Sequence, residues 1–450
     1  MCLDESRCQR AHQRNMYVLH RWLVCTTALL ANLVVLGVMF SMGTLLSDIT
    51  ATFNVSRTDA ALVQTVAIVA GLCGGVFIGS LIHKFGERNV AVCLSFILSI
   101  GVVISYFATS VPFLMISIGL LGGTSGGGIY IAASAATGRH FHGKQGLFFV
   151  SVVNVGSGMG GVIFPYFFNY LTERFGPRGT YLITGGILLN MIPFTLLWNS
   201  PITKKLTKPK HEQNVCNDNA IEMESLTSVK SEVKTCYADK DTLCAAFKKL
   251  VTDRAFVFFA FGLATAYSCV MVVNVFDALQ DSGLSQTNAT LGLLLLNISG
   301  IIGRILPGTL IQIKYITVLT VPIIACIMII LSQLGITLLS SITTNFLACI
   351  LAGTAIGMLM SCFGVVTLKL VGIERHANAM GICLSLSGLT NALMGQFGGW
   401  IRDKLGYYTI PFLLSASVEV LAIILLSIAQ FYRSKYPKRL TDELKDVCAL

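Results

Sequence analysis

Twelve apolar stretches, each long enough to cross a bilayer, fall into two groups of six around a charged segment at 200–254. A crossing helix needs roughly 20 mainly apolar residues. In lipid its backbone must satisfy its own hydrogen bonds, so the stretches read as helices. With 54% hydrophobic and 12% charged residues, the chain has too little polar surface to coat a soluble globule. It is therefore expected to be an all-α membrane protein. The expected spans are 22–47, 60–82, 90–108, 112–136, 146–170 and 179–198, then 255–276, 289–313, 316–338, 345–368, 377–400 and 408–431. This divides the chain into a tail (1–21), a six-helix bundle (22–199), a largely disordered linker (200–254), a second bundle (255–431) and a tail (432–450).

Lysine and arginine orient the array. Of 32 such residues, 26 fall on the side of the termini and linker, five (Arg57, Arg174, Arg178, Arg402, Lys404) on the other, and Arg304 within a span. The positive-inside rule then makes both termini cytoplasmic. The net charge of +10 reflects this topology and is not a nucleic-acid footprint. No cysteine falls in an extracellular loop, so structural disulfides are not expected, and Cys216, Cys236 and Cys244 lack the spacing and histidines of a zinc site. No glycine-rich lysine loop for nucleotide phosphates occurs, which excludes ATP as the energy source. Nor is there a nucleophile–base pairing, so neither an enzyme nor a cofactor is expected.

The two groups repeat. Gly79-Ser80-Leu81-Ile82-His83 aligns with Gly308-Thr309-Leu310-Ile311-Gln312, each closing the second helix of its group. Gly123-Thr124-Ser125-Gly126-Gly127 aligns with Gly353-Thr354-Ala355-Ile356-Gly357, and Phe175-Gly176 with Leu405-Gly406. The offsets are 229, 230 and 230. A parallel six-plus-six repeat places substrate near the midplane, between bundles that rock against each other. Gly71, Gly75 and Gly79 on one face of the second helix, and Gly156 and Gly160 in the fifth, suit close helix approach, for sliding or for static packing.

The stretch Gly79-Ser80-Leu81-Ile82-His83-Lys84-Phe85-Gly86-Glu87-Arg88 resembles the signature loop of the major facilitator superfamily, with His83 in place of its aspartate. More narrowly, residues 22–200 and 255–431 resemble the monocarboxylate transporter family. The likeness is carried by Ser41-Met42-Gly43, Gly156-Ser157-Gly158-Met159-Gly160, Arg174-Phe175-Gly176-Pro177-Arg178-Gly179, Gly303-Arg304 and Leu370-Val371-Gly372-Ile373-Glu374-Arg375. The resemblance implies the superfamily fold of twelve helices and movement of small carboxylates across the plasma membrane, facilitated or proton-linked. It also implies a single-span accessory glycoprotein as a possible partner. Departures from the family stand at Thr44, where several members carry a lysine, at Gly300 and Lys369 in place of acids, and at Gln396-Phe397 in place of paired prolines.

Arg304 is the leading site candidate. It is placed nine residues from the cytoplasmic end of its span, about 13 Å at 1.5 Å per residue. A charge at that depth usually faces a polar cavity, and a guanidinium fork matches a carboxylate. Asn297 shares its face, and Asn154 in the fifth helix and Asn391 in the eleventh add polar strips. Polar residues in spans also serve as interhelical glue, and both readings stand for these two. Thr44 completes the substrate set by resemblance. His83, Lys84, Arg88 and Lys144 are candidate cytoplasmic gate residues that pair across helix ends. Glu419, the one acid near mid-span, is expected to bond a neighbouring helix rather than line the site.

These features point to a secondary transporter of a small organic anion by alternating access, with the proton as a possible co-substrate. Two rivals stand beside it: a uniporter for neutral amphipathic solutes such as aromatic amino acids or creatine-like molecules, and a non-transporting sensor or partner with the same fold.

Overall fold

The structure, a computed structural model, describes residues 2–199, 243–267, 275, 278–281, 283–313, 315–339, 341–405 and 409–435. The first group comprises α1 (Cys2–Ser41), α2 (Arg57–Cys73), α3 (Gly75–Phe85), α4 (Glu87–Ile104), α5 (Gly123–His140) and α6 (Gly143–Leu189). The second comprises α7 (Leu243–Thr252), α8 (Arg254–Tyr267), α9 (Gln286–Leu310), α10 (Thr320–Leu338), α11 (Ile342–Val371), α12 (His376–Leu405) and α13 (Thr409–Lys435). Among the described residues eight helices are long and apolar enough to cross a membrane, or nine if α2 and α3 form one span.

Local sequence explains the breaks. Ser56 caps α2 by accepting the Asp59 amide hydrogen, and α2 meets α3 at a 46° bend beside Gly74. Gly86, at φ 84°, ends α3 in a conformation that side chains resist. Gly176, at φ 70°, breaks the long run of α6 just before Pro177, and the two parts take the places of the expected fifth and sixth spans. The seventh expected span is described as α8; the rest of it lies mostly outside the described residues.

Three expectations need correction. The first span is the continuation of a helix that already begins at Cys2, within the expected tail. The linker is outside the described residues to 242, but its end is helical: α7 buries Leu250 (2% exposed) in the core, so one apolar face orders it. Helix α9 ends at Leu310, where i to i−3 bonds (Gln312 to Thr309, Ile313 to Leu310) replace helical ones. Arg304 is thus six residues from the helix end, about 9 Å, and shallower than expected.

The repeat is visible as packing. A Cβ on Gly123 or Gly127 of α5 would collide with the backbone of Ala67 or Gly71 of α2. A Cβ on Gly353 or Gly357 of α11 would collide with Leu296 or Gly300 of α9. The glycines differ by 230 in number and their partners by 229, so the two helix pairs are built alike. Without a hydrophobic drive in lipid, such close approach is what holds helices together.

Gly127→Ala and Gly357→Ala are each expected to cost about 1–3 kcal/mol, the usual range for overpacking. Gly186→Ala, which has open space around it, should fall within about 0.5 kcal/mol of wild type. Thermal unfolding of the purified variants checks this, and equal losses at all three positions would contradict it.

Candidate functional site

The two helix groups meet along two seams related by the same repeat. In the first, α3 packs on α12: Gly75 lies against the Gly381 carbonyl and Gly79 against the backbone of Ala377. The Ser385 hydroxyl ties this seam by donating to the Cys73 carbonyl (2.9 Å) and accepting from the Val76 amide (3.0 Å). In the second seam, α9 packs on α6, with Gly308 against Ser151 and Phe148. Adding 229 to Gly75 and Gly79 gives Arg304 and Gly308. Arg304 therefore stands where the other seam has a glycine, and its charge enters the joint between the groups.

The Arg304 side chain is 9% exposed and turned towards α6, not towards lipid. Its Nε donates to Ser157 Oγ (3.1 Å) and its Nη1 to the Gly300 carbonyl (2.9 Å). Ser157 Oγ spends its own hydrogen on the Asn154 carbonyl (2.7 Å), so it meets Nε as an acceptor. Glycines frame the guanidinium: a Cβ on Gly158 would lie 2.7 Å from Nη1 and one on Gly300 3.3 Å from it. Nη2 is the part of the fork without a hydrogen bond to any described residue. Tyr130 of α5 and Tyr267 of α8 are near enough to act electrostatically on the guanidinium. The Tyr130 hydroxyl donates to the Met360 carbonyl across the seam (3.0 Å), and Tyr267 stands edge-on to Phe363 (ring centroids 5.4 Å apart).

The other candidates divide. Asn154 is buried one turn from Ser157 and donates weakly to Ser361 Oγ (3.5 Å), which also bonds Ser151 (3.1 Å). Asn391 is half-buried and holds the Tyr267 carbonyl (3.3 Å), so it borders the site. Asn297 lies two turns from Arg304 on the same face, is exposed, and bonds only the Leu293 carbonyl (3.0 Å). Gly161, one turn beyond Gly158, meets open space. Thr44 is not brought to the site. Gly156 and Gly160 lie against Leu29 and Leu33 of α1, which puts Thr44 three to four turns further along, on the order of 20 Å. Its hydroxyl bonds the Ser41 carbonyl (2.7 Å). Buried Glu419 bonds Cys326 of α10, away from Arg304.

The expected gate is corrected as well. His83 and Arg88 are half-buried and Lys84 and Lys144 exposed, and none forms an ion pair with a described residue. Lys84 rests on the ring of neighbouring Phe85 (5.2 Å). Backbone approach at the glycines leaves little room for long side chains between the helix ends, and other groups close the joint. Within the first group, Arg139 of α5 pairs with buried Glu87 of α4 (3.2 Å). Fully buried His376 of α12 bridges Ser134 of α5 (Nε2, 3.0 Å) and Thr367 of α11 (Nδ1, 3.2 Å). Thr367 gives its hydrogen to backbone carbonyls of its own helix, including Gly364 (3.0 Å), so it accepts from Nδ1–H. With Nδ1 donating, a neutral imidazole accepts the Ser134 hydroxyl hydrogen at Nε2. His376 was missed because it sits one residue outside the expected eleventh span, and no sequence motif marks Tyr130 or Tyr267.

A chain of paired helix groups with a polar residue in the joint has the build of a secondary transporter. The sequence profile of the Major Facilitator Superfamily matches residues 27–395, and the chain belongs to that superfamily. Among solved structures, it is similar to the proton:xylose symporter XylE (TM-score 0.69, 13% identity, 91% of this chain and 95% of that one). It is also similar to the E. coli fucose:proton symporter FucP (TM-score 0.63, 14% identity, 92% and 99% covered). Its relatives are monocarboxylate transporters, at a divergent distance. Monocarboxylate transporter 14 of Homo sapiens is 26% identical, covering 90% of both chains. Monocarboxylate transporter 9 of Gallus gallus is 24% identical over 91% of this chain and 92% of its own. Monocarboxylate transporter 12 of Homo sapiens is 28% identical over 82% and 72%. The protein is a multi-pass membrane transporter and not an enzyme.

His376→Leu removes both bridging bonds and leaves the buried Ser134 hydroxyl without an acceptor, which is expected to destabilise the closed joint by about 1–3 kcal/mol. A cysteine placed at Ser361 should then react faster with a membrane-impermeant thiol reagent added from the side of the basic helix ends. Unchanged labelling and unchanged melting would show that the bridge does not hold the joint.

Proposed function

We propose that the protein carries a small organic anion, most simply a monocarboxylate, by alternating access, with Arg304 holding the carboxylate. The observation that carries this reading is a cation in the joint that has no acidic partner among the described residues. Ser157 and Gly300 hold two of its donors, and Nη2 is left for a ligand. Closing a dry joint over an unpaired charge is costly, and a bound carboxylate removes that cost. The names of the relatives support the same substrate class.

The helix ends that carry Lys84, Arg139, Lys144 and Lys369 are, by charge, the cytoplasmic side. Bonds from His376, Tyr130 and Ser385 join the two groups. The plasma membrane is the proposed location. Gly300 stands where the family carries an acid, and no described acid reaches Arg304, which favours facilitative transport over proton coupling. A neutral amphipathic solute is the second reading, favoured by the aromatic wall of Tyr130, Tyr267 and Phe363.

Uptake of a labelled monocarboxylate and of a neutral solute, compared in the same cells, separates the two. Arg304→Ala is expected to lower carboxylate uptake about thirtyfold or more, equivalent to the roughly 2 kcal/mol minimum for truncating one side of a buried hydrogen-bonded charge pair. Uptake by wild type should differ less than about twofold between acidic and neutral external pH, in proportion to the anion present. Carboxylate uptake by Arg304→Ala at the wild-type rate, with the protein at the cell surface, would sink the anion reading.

A further inference from the structure

A second polar site lies away from Arg304, at the basic helix ends. A cavity of about 490 Å³ opens between the start of α6, the turn after α9, the end of α11 and the end of α13. Three cations line it, Lys144, Lys369 and Arg433, and no acid is among its described lining residues. Gln430 and Ser434 add neutral hydrogen-bonding groups. Helix α6 starts here without a side-chain cap, so its first-turn amides add positive potential.

The cations come from both helix groups: Lys144 from the first, Lys369 and Arg433 from the second. Just inside the cavity, Leu147 and Val150 of α6 pack on Val365 of α11, flanked by Ile311 and Leu368. Closing that apolar contact gathers like charges into one pocket, which opposes closure unless an anion is present. Three cations around one small cavity match a phosphate-bearing group better than a single carboxylate. The adjoining turn presents Ile313 (47% exposed) and Tyr315 (91% exposed), side chains suited to the boundary of a bilayer.

We propose that this cavity binds a phosphate-bearing anion, the headgroup of an anionic phospholipid, and that binding holds the two helix groups together at this end. A soluble polyphosphate carries the same chemistry and is the other source. This proposal does not depend on what Arg304 binds.

The test uses full-length protein in nanodiscs of phosphatidylcholine, with phosphatidic acid added to the bilayer in one arm and inositol hexakisphosphate to the buffer in the other. Melting temperature is read against dose. Phosphatidic acid should raise it, and Lys369→Gln with Arg433→Gln should weaken the response about fivefold for each cation removed. A response to phosphatidic acid alone assigns the lipid, and a response to inositol hexakisphosphate alone assigns a soluble ligand. No response to either, or an undiminished response in the double variant, overturns the site. Should that variant not fold, a headgroup-photoreactive phosphatidic acid should label residues 311–319 of the wild-type chain; labelling only elsewhere overturns it equally.

Discussion

Backbone-to-backbone contact at glycine governs this molecule, because lipid offers helices no hydrophobic reason to associate. Within each group Gly123 and Gly127 seat α5 on α2, and Gly353 and Gly357 seat α11 on α9. Between the groups the same device recurs at Gly75, Gly79 and Gly308, where a side chain of any size would hold the helices apart. The joint can therefore close on backbone alone, and the few polar groups in it are free to do other work. Ser385, His376 and Tyr130 each make a bond across that joint, and each bond is lost if the groups separate.

Arg304 breaks the pattern. At the repeat position of Gly75 it brings a charge, with two of its donors held by its own helix and by Ser157 of the opposite group. The Ser157 bond spans the joint, so the guanidinium reports on whether the joint is closed. A charged group that bonds across a seam and keeps one nitrogen uncommitted can couple a ligand to conformation, because a ligand shifts such an equilibrium only by binding its two states unequally. The glycines at 158 and 300 matter here for a second reason, since they leave the fork the space in which to be held.

Much of the fold was legible because length and apolar composition are the physical criteria for crossing a bilayer. The repeat was legible because close helix approach demands glycine at fixed spacing, so Gly123 and Gly353 mark the same contact. Arg304 was legible because a charge within a span is costly and needs a reason. Helix ends were not: α9 stops at Leu310 through local turn bonds that leave no mark in apolar composition. Thr44 was misplaced because a motif fixes a position along one helix but not its height against another. The bridge at His376 was hidden for a different reason. Its partners are nine and 242 residues away in sequence, and nothing in the local pattern of either segment announces the other.

The seams differ in what they hold, and this gives the rocking of the two groups a chemical asymmetry. The α3–α12 seam joins through Gly75, Gly79 and Ser385, all small, and its closure needs no ligand. The α6–α9 seam contains a charge that bonds Ser157 across it, and beside it Ser151 of α6 bonds Ser361 of α11, two contacts made only when the groups are together. Parting this seam exposes groups that water can solvate, while closing it returns them to an interior where each needs a partner. The first seam thus holds only small residues, and the second holds a charge whose surroundings change with closure.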